Sequence, residues 1–274
     1  MDNRESVIFV TGASSGIGNA CATLLAKKGM RVYGTCRSPG TYARKADEFF
    51  EMLHLDLSDS ASITKAAEKL LSKEGKIDAL VCCAGAGLFG SVEDVAVDEA
   101  QALMDVDFFG TLRTLKAFLP AMREAGRGRI VITGAMEGLV ASPFQAAFSA
   151  AEFALEGLVQ ALSSEVAGFG ISVGIIELAS LRTAFAQRRR LITGNEASPY
   201  KTGLDSARSI LSRDEVEGID PFAAAKIVYD MLVARRMPAR RTVGPVKRRG
   251  LAFSRRWLGA RALERSVRRY FRLD

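Results

Sequence analysis

The sequence predicts an α/β fold, a doubly wound parallel sheet with helices on both faces, followed by a basic helical tail. Short β-rich apolar runs alternate with helical patterns from residue 7 onward. A glycine-rich turn joins the first run to the first helix. The third observation is charge. The 274 residues carry a formal net charge of +7, yet residues 235–274 hold 14 Lys/Arg against 2 Asp/Glu, while the other 234 residues hold 24 against 29. A slightly acidic body thus carries a strongly basic end.

The elements follow in order. Val7–Thr11 (VIFVT) reads as the first strand, and an Ala/Leu-rich helix runs to about Lys28. Arg31–Thr35 and Glu51–Leu55 are the next strands. A helix spans Asp59–Lys73, capped by Ser58 or Asp59, and Asp78–Ala84 (DALVCCA) is a fourth, buried strand. Two helices, about Asp98–Phe109 and Thr111–Ala125, lead to the strand Arg129–Thr133. A long helix over Gln145–Ala167 precedes the strand Ile171–Glu177. A helix near Pro221–Ala234 and a short strand at Arg241–Val243 close the body. Strands of this length between helices describe a Rossmann-type, three-layer sheet with right-handed crossovers. The stretch Leu181–Gly218 reads as one long irregular loop, and loops of that length are usually lids or binding loops.

Composition narrows the function classes. With 48% hydrophobic and 25% charged residues, the chain has the proportions of a soluble globular protein, which excludes disorder, collagen and a disulfide miniprotein. No run reaches the roughly 18 apolar residues that span a bilayer. Residues 1–6 (MDNRES) lack the features of a secretory leader. A cytoplasmic location is expected, with Cys21, Cys36, Cys82 and Cys83 as reduced thiols. His54 is the single histidine, so neither a histidine-based metal site nor a Ser-His-Asp triad is expected, and no metal is assigned.

Thr11-Gly12-Ala13-Ser14-Ser15-Gly16-Ile17-Gly18 joins the first strand to the first helix. Glycines remove Cβ atoms where the chain turns sharply and a ligand approaches the backbone. The helix N-terminus beyond offers N–H groups and a partial positive charge to a pyrophosphate. With its T-G-x-x-x-G-x-G pattern the sequence resembles the short-chain dehydrogenase/reductase family over about residues 5–245. Asp56-Leu57 resemble the family's adenine contact. Ala84-Gly85 match the end of its Asn-Asn-Ala-Gly motif, with Cys82-Cys83 in place of the two asparagines. Thr183-Ala184-Phe185 and FALEGL at Phe153–Leu158 are most similar to the hydroxysteroid and retinol dehydrogenase branch.

The resemblance implies a nicotinamide cofactor held by Gly12, Ser14, Ser15, Gly16, Ile17, Gly18, Asp56, Leu57, Ala84, Gly85 and Thr183. Charge argues for its type. The second strand ends Gly34-Thr35-Cys36-Arg37-Ser38, with no carboxylate for a ribose 2′-hydroxyl, whereas Arg37 suits a 2′-phosphate. NADP(H) is therefore the expected cofactor.

The resemblance also implies an Asn-Ser-Tyr-Lys catalytic group, and each of its positions differs here. The D-V-N-x-x-G pattern reads Asp105-Val106-Asp107-Phe108-Phe109-Gly110, and the serine position falls on Ala135. The Y-x-x-x-K pattern reads Phe148-Ser149-Ala150-Ala151-Glu152, with Phe153–Leu158 fixing the frame. Leu178-Ala179 stand for the family's Pro-Gly. Phenylalanine has no proton to give, and Ser149 lies about 100° round the helix from position 148. A tyrosine-dependent ketoreductase mechanism is therefore not expected.

Asp107, Glu137 and Glu152 remain as three carboxylates expected at one pocket, where mutual repulsion and apolar walls raise pKa values. Two readings stand. In one, these groups act as acid or base on an apolar lipid-, polyketide- or steroid-like substrate, by non-redox chemistry or atypical hydride transfer. In the other, the protein is a non-catalytic NADP(H)-binding sensor or scaffold. Met136, Leu139, Phe144, Phe148 and the 181–218 loop are expected to make the cleft apolar. The sequence divides into a dinucleotide-binding domain, 1–246, and a basic amphipathic extension, 247–274. In the extension Trp257, Ala260, Leu263, Val267, Tyr270 and Phe271 recur at helical spacing among arginines. The pattern suits an anionic membrane surface, giving a peripheral association, or packing on the body or a second subunit. Nucleic acid is unlikely beside an acidic body with no binding motif. By analogy with the family's dimer face, the Gln145–Ala167 helix implies a homodimer or tetramer.

Overall fold

The computed structural model describes residues 6–43, 48–194, 198–254 and 257–273. Its strands are β1 (Val7–Val10), β2 (Arg31–Cys36), β3 (Glu51–His54), β4 (Ala79–Cys82), β5 (Leu88–Phe89), β6 (Gly128–Ala135), β7 (Ile171–Leu178), β8 (Arg190–Leu191) and β9 (Arg240–Val243). Seven of them form one sheet in the order β3-β2-β1-β4-β6-β7-β9, every pairing parallel. Strands β5 and β8 make a separate parallel pair. The reversal of strand order lies between β1 and β4, and ligands of doubly wound sheets bind beyond the carboxyl ends at that point.

The helices are α1 (Gly16–Lys27), α2 (Ser60–Glu74), α3 (Val97–Met104), α4 (Gly110–Glu124), α5 (Ala146–Val166), α6 (Phe185–Arg188), α7 (Lys201–Val216), α8 (Pro221–Val233), α9 (Val246–Ser254) and α10 (Ala260–Phe271). The sheet divides the core in two. On one face Ile63, Leu70, Phe118, Leu155 and Leu162 bring α2, α4 and α5 onto the strands. On the other, Cys21, Leu25, Val228 and Leu232 bring in α1 and α8. Strands covered on both faces read as continuous apolar runs rather than alternating ones. That is why VIFV is buried at all four positions. Local signals set the helix ends. The Asp59 carboxylate accepts the Ala61 N–H (2.8 Å) at the start of α2, and Asp220 accepts the Phe222 N–H (2.8 Å) at the start of α8, where Pro221 opens the helix.

Three expectations need correction. The helices expected at 98–109 and 111–125 are a single run, because α3 passes through a π-turn, Asp105–Phe109, straight into α4. A π-turn widens the helix by one residue, often at a functional site, and here it carries Asp107. The loop expected over 181–218 contains α6, β8 and the 16-residue α7. Leu204, Ala207, Ile210 and Leu211 give α7 a buried stripe at helical spacing, masked in the sequence by the polar residues between them. Third, the basic extension is two helices rather than one, and of the partners expected for its apolar stripe α10 takes the body. Trp257 lies between α9 and α10 and is 84% exposed. Phe271 is buried, and it packs with Val267, Tyr270 and Leu273 against Leu204, Ala207 and Leu211 of α7. The Tyr270 hydroxyl donates to Asp214, and the Ser206 hydroxyl donates to the Phe271 carbonyl (2.9 Å).

Candidate active site

A cleft of about 480 Å³ opens beyond the carboxyl ends of β1, β4 and β6. Gly12, with φ +70°, makes its sharpest corner, and a Cβ there would stand 2.8 Å from Ala84 Cα. No side chain fits that approach. The Thr11 hydroxyl fastens the corner by accepting the N–H groups of Cys83 (3.0 Å) and Ala84 (3.1 Å). Ser14, Ser15, Gly16 and Ile17 follow along the cleft, and Ser15 caps α1 without a side-chain hydrogen bond. The first N–H groups of α1 therefore face the cleft free of a local cap, the arrangement that takes a phosphate. Gly18 lies outside the lining. It is buried, and a Cβ there would meet the Gly12 carbonyl oxygen at 2.3 Å, so its lack of a side chain serves the packing of α1 on the turn.

Of the other residues expected at a cofactor, Arg37, Asp56, Leu57, Ala84, Gly85 and Thr183 all line the same cleft. Arg37 is exposed at the end of β2. Asp56 accepts the Ser58 hydroxyl (2.7 Å) and N–H (2.9 Å), and these bonds, aided by Arg37 and His54, hold its pKa below the ordinary value against partial burial. Thr183 stands against Gly16, and its hydroxyl accepts the Phe185 N–H (3.3 Å).

At the inner end of the cleft Asp107, Ala135, Phe148 and Glu152 come together with Glu137 and Gln145. The π-turn positions Asp107, whose Oδ1 accepts the Ala86 N–H (2.6 Å), while its Oδ2 is buried without a hydrogen-bond partner. Burial pushes its pKa up to about 8, against the Ala86 bond. Glu152 on α5 accepts the Ala135 N–H (2.7 Å) through Oε2. Burial and then the nearby Asp107 raise its pKa to about 8. Glu137 accepts the Ser142 hydroxyl (3.0 Å). Ser149 turns to the Ser142 N–H (3.2 Å) and stays out of the lining, as its place on the helix predicts. Phe148 is buried against Phe185, with ring centroids 6.1 Å apart.

Several residues of the site were not expected from the sequence. Glu177 is fully buried in β7, directly opposite Gly134 of β6, and neither of its oxygens has a hydrogen-bond partner. Burial, then Glu152 and Glu137, push its pKa up to about 9. The signal existed, since a glutamate inside the run ISVGIIEL of a parallel strand must be buried on either face. Arg188 and Arg189 were hidden inside the supposed loop. Arg188 donates to the Ser15 hydroxyl (2.7 Å), bridging α6 to the phosphate turn, and Arg189 pairs with Glu215 at the cleft wall.

The apolar lining also differs from expectation. Phe148 belongs to the cleft, but Met136 and Leu139 do not, and Phe144 lines a separate apolar groove of about 900 Å³ between α3 and the start of α5. Leu155, Leu178, Leu181, Phe185 and Leu211 supply the apolar walls instead.

These features, a glycine turn at the strand-order reversal and a cleft with a polar inner end under α5, define a Rossmann-type fold. The chain belongs to the short-chain dehydrogenase family, whose model, described as short chain dehydrogenase, matches residues 6–192. It is 32% identical over 270 residues to the 3-ketodihydrosphingosine reductase of Bacteroides thetaiotaomicron, covering 98% of both chains. It is 38% identical over 196 residues to the 17-beta-hydroxysteroid dehydrogenase type 1 of Homo sapiens, covering 67% of this chain and 59% of that one. A solved short-chain dehydrogenase from Streptomyces avermitilis superposes with a TM-score of 0.81 at 28% identity, over 100% of this chain and 98% of its own. Solved structures of this fold hold NAD in some cases and NADP in others.

Proposed function

We propose that this protein is an NADP(H)-dependent oxidoreductase that reduces a carbonyl group of an apolar substrate, with a neutral carboxyl group, that of Glu152, as the proton donor. The free N–H groups of α1 and the Cβ-free corner at Gly12 fit a pyrophosphate. Ser14, Ser15, Gly16 and Ile17 would hold it, Asp56 and Leu57 the adenine, Arg37 the 2′-phosphate, and Ala84, Gly85 and Thr183 the remainder. When bound, the nicotinamide supplies the hydride.

The observation that carries this reading is the buried Glu152 carboxyl group in the cleft wall, its Oε2 held by the Ala135 N–H, in the same lining as a phenylalanine at the position of the family's tyrosine; burial raises its pKa to about 8. At neutral pH Glu152 is mostly protonated. Its Oε2 is engaged by the Ala135 N–H, which leaves the other oxygen to present the proton to a carbonyl oxygen. A donor with a pKa near the working pH transfers a proton most effectively. Asp107, also raised to about 8, keeps negative charge from accumulating beside it, and the apolar walls exclude water from the transfer. The test is a panel of Glu152→Gln and Asp107→Asn, each assayed for NADPH binding and for carbonyl reduction.

A second reading, a non-catalytic NADP(H) sensor, is favoured by one observation. The ring of Phe148, packed on Phe185, fills space at the inner end with a group unable to bond to a substrate oxygen. Cofactor binding by the native protein with no carbonyl reduction would select it.

The basic extension is assigned to an anionic membrane surface. Phe253 (66% exposed), Trp257 and Leu258 are exposed in the same extension as the exposed cations Arg249, Arg261 and Arg265, the combination that favours an anionic lipid interface. Because α10 packs on α7, such docking would bring the cleft near a source of apolar substrate.

A further inference from the structure

We propose that Cys83 is an oxidation site for hydrogen peroxide, and that Cys21 resolves it as a Cys21–Cys83 disulfide tying α1 to the end of β4. The site lies outside the carbonyl chemistry proposed above and does not depend on it.

Cys82-Cys83 stand where the family has two asparagines, and the two thiols face opposite ways. Cys82 is buried in the core layer under α2, α4 and α5, whereas Cys83 packs on the other face of the sheet, against the cluster of α1 and α8. That cluster contains Cys21, which is fully buried. The glycine turn draws α1 close to the sheet here. A Cβ on Gly18 would stand 2.3 Å from the Gly12 carbonyl oxygen, and one on Gly12 would stand 2.8 Å from Ala84 Cα. Cys21 follows Gly18 by three residues, on the same face of the helix, which carries its thiol toward residue 83. A hydrogen bond to Cys83, then burial, holds the Cys21 pKa well above its ordinary value.

Access divides the roles. Cys83 is half-buried and lines the cleft, so a small oxidant reaches its sulfur from that side, with Cys21 sealed behind it. Other pairings fail on geometry. A disulfide needs its two Cα atoms within about 7 Å. Cys36 also lines the cleft, but it ends β2, and β1 lies between β2 and β4. Two strand spacings amount to about 9.5 Å. Cys82 lies in the opposite layer, where burial pushes its thiol far above the ordinary range.

Hydrogen peroxide is the only co-reactant. The Cys83 thiolate attacks one peroxide oxygen, a sulfur–oxygen bond forms, and the oxygen–oxygen bond breaks. The departing hydroxide takes a proton and leaves as water. Cys83 is then a sulfenic acid, oxidised by two electrons. The Cys21 sulfur attacks the Cys83 sulfur, the sulfur–oxygen bond breaks, and hydroxide leaves as water with the Cys21 proton. Two thiols and one hydrogen peroxide become one disulfide and two waters. The sulfurs close to about 2 Å, which pulls Cys83 onto α1 beside the Gly12 corner.

The test is a thiol titration and a peptide map of the full chain after equimolar hydrogen peroxide. The protein has four cysteines, all free. Two thiols are expected to disappear, the map should join Cys21 to Cys83, and dithiothreitol should restore both. Cys21→Ala should stop at the sulfenic acid, captured on Cys83 as a dimedone adduct. Cys83→Ala should leave Cys21 reduced, and Cys36→Ala should leave the disulfide unchanged. Thermal melts report whether each variant folds, and the map of the native protein decides the matter if one does not. An unlinked native protein, a link through another cysteine, or Cys21 oxidised in folded Cys83→Ala overturns the proposal. NADP⁺ separates this site from the cofactor reading. In protein that calorimetry shows to bind NADP⁺, saturation should slow the thiol loss several-fold, and an unslowed loss overturns Cys83 as the point of entry. A protein that forms the disulfide yet binds no nucleotide keeps the oxidation site and removes the cofactor.

Discussion

Glu152 Oε2 and Glu177 Oε1 converge on Gly134, where a Cβ would stand 3.1 Å from the first and 3.3 Å from the second. The two carboxyl groups come from different elements, α5 and β7, and meet only because position 134 has no side chain. Glu152 is satisfied there by the Ala135 N–H, whereas Glu177 has no hydrogen-bond partner. Two carboxyl groups in such an apolar setting cannot both ionise cheaply, so the inner end of the cleft stores protons at neutral pH.

Catalysis should depend on that store. Glu152→Gln is expected to lower carbonyl reduction by roughly 10²–10⁴-fold, the usual contribution of a general acid. NADPH affinity, followed by fluorescence titration, should change little, because the amide reproduces the neutral acid's shape. In the native protein reduction should decline as pH rises through about 8, where Glu152 gives up its proton. A rate that stays flat to pH 10 counts against Glu152 as donor.

Stability should carry the opposite mark of the same chemistry. Burial, with Glu152 and Glu137 nearby, pushes the Glu177 pKa up to about 9 in the folded chain, from an ordinary 4.5. The folded state therefore holds this proton more tightly than the unfolded state. The stability it contributes is complete below about pH 4.5 and is lost progressively as pH rises toward 9. Glu177→Gln has no proton to lose. Its melting temperature should match the native protein's at acid pH and exceed it increasingly from pH 6 to 9. A gap that does not widen with pH would mean that Glu177 is solvated.

Cofactor choice is expected to follow Arg37. Arg37→Asp removes the cation proposed for a 2′-phosphate and places a carboxylate where a ribose hydroxyl would be held. The affinity for NADP⁺ should fall by about ten- to a hundredfold, the range of one or two charge-assisted bonds, and that for NAD⁺ should hold or rise. Calorimetric titration with both nucleotides checks this, and unchanged ratios would refute the role of Arg37.

The extension can be tested without deleting it, since deletion would strip Phe271 from α7. Trp257 is the single tryptophan, so its emission reports directly on its surroundings. Vesicles rich in phosphatidylserine should shift it to the blue at low salt, and neutral phosphatidylcholine vesicles should do so less. Arg261→Ala with Arg265→Ala should weaken the shift. Separately, Phe271→Ala should cost roughly 3 kcal/mol by emptying a packed site, measured by urea unfolding. If emission is identical with and without anionic vesicles, membrane docking is excluded.

Much of the fold was legible in the sequence because its signals are local. The runs VIFV and RIVIT, the caps at Asp59 and Asp220, and the glycine turn each act within a few residues of themselves. The places of Asp107, Glu137 and Glu152 in one cleft were legible too, through motif spacing. Helix α7 was not, because its buried stripe of Leu204, Ala207, Ile210 and Leu211 is diluted by lysine, arginine and aspartate on the same turns. Its partner surface, the apolar stripe of α10, lies about 60 residues away.

What the sequence by itself determined is the order of the seven strands of the main sheet, the phosphate turn, the absence of a phenol at position 148 and a lysine at 152, and the separation of charge between body and tail. Each follows from residue identity or from periodicity along the chain. What only the tertiary structure decided is which groups lose their water and which keep a partner. Glu177 joins the carboxyl cluster because β7 is buried on both faces. Gln145 is left with an unmet oxygen, the stripe of α10 is spent on α7, and Trp257 is left outside. Hydrogen bonding, burial and the pKa shifts they cause are properties of three-dimensional neighbourhoods. A carboxyl group that is an ordinary anion in the unfolded chain becomes a neutral acid only once the sheet and α5 close around it.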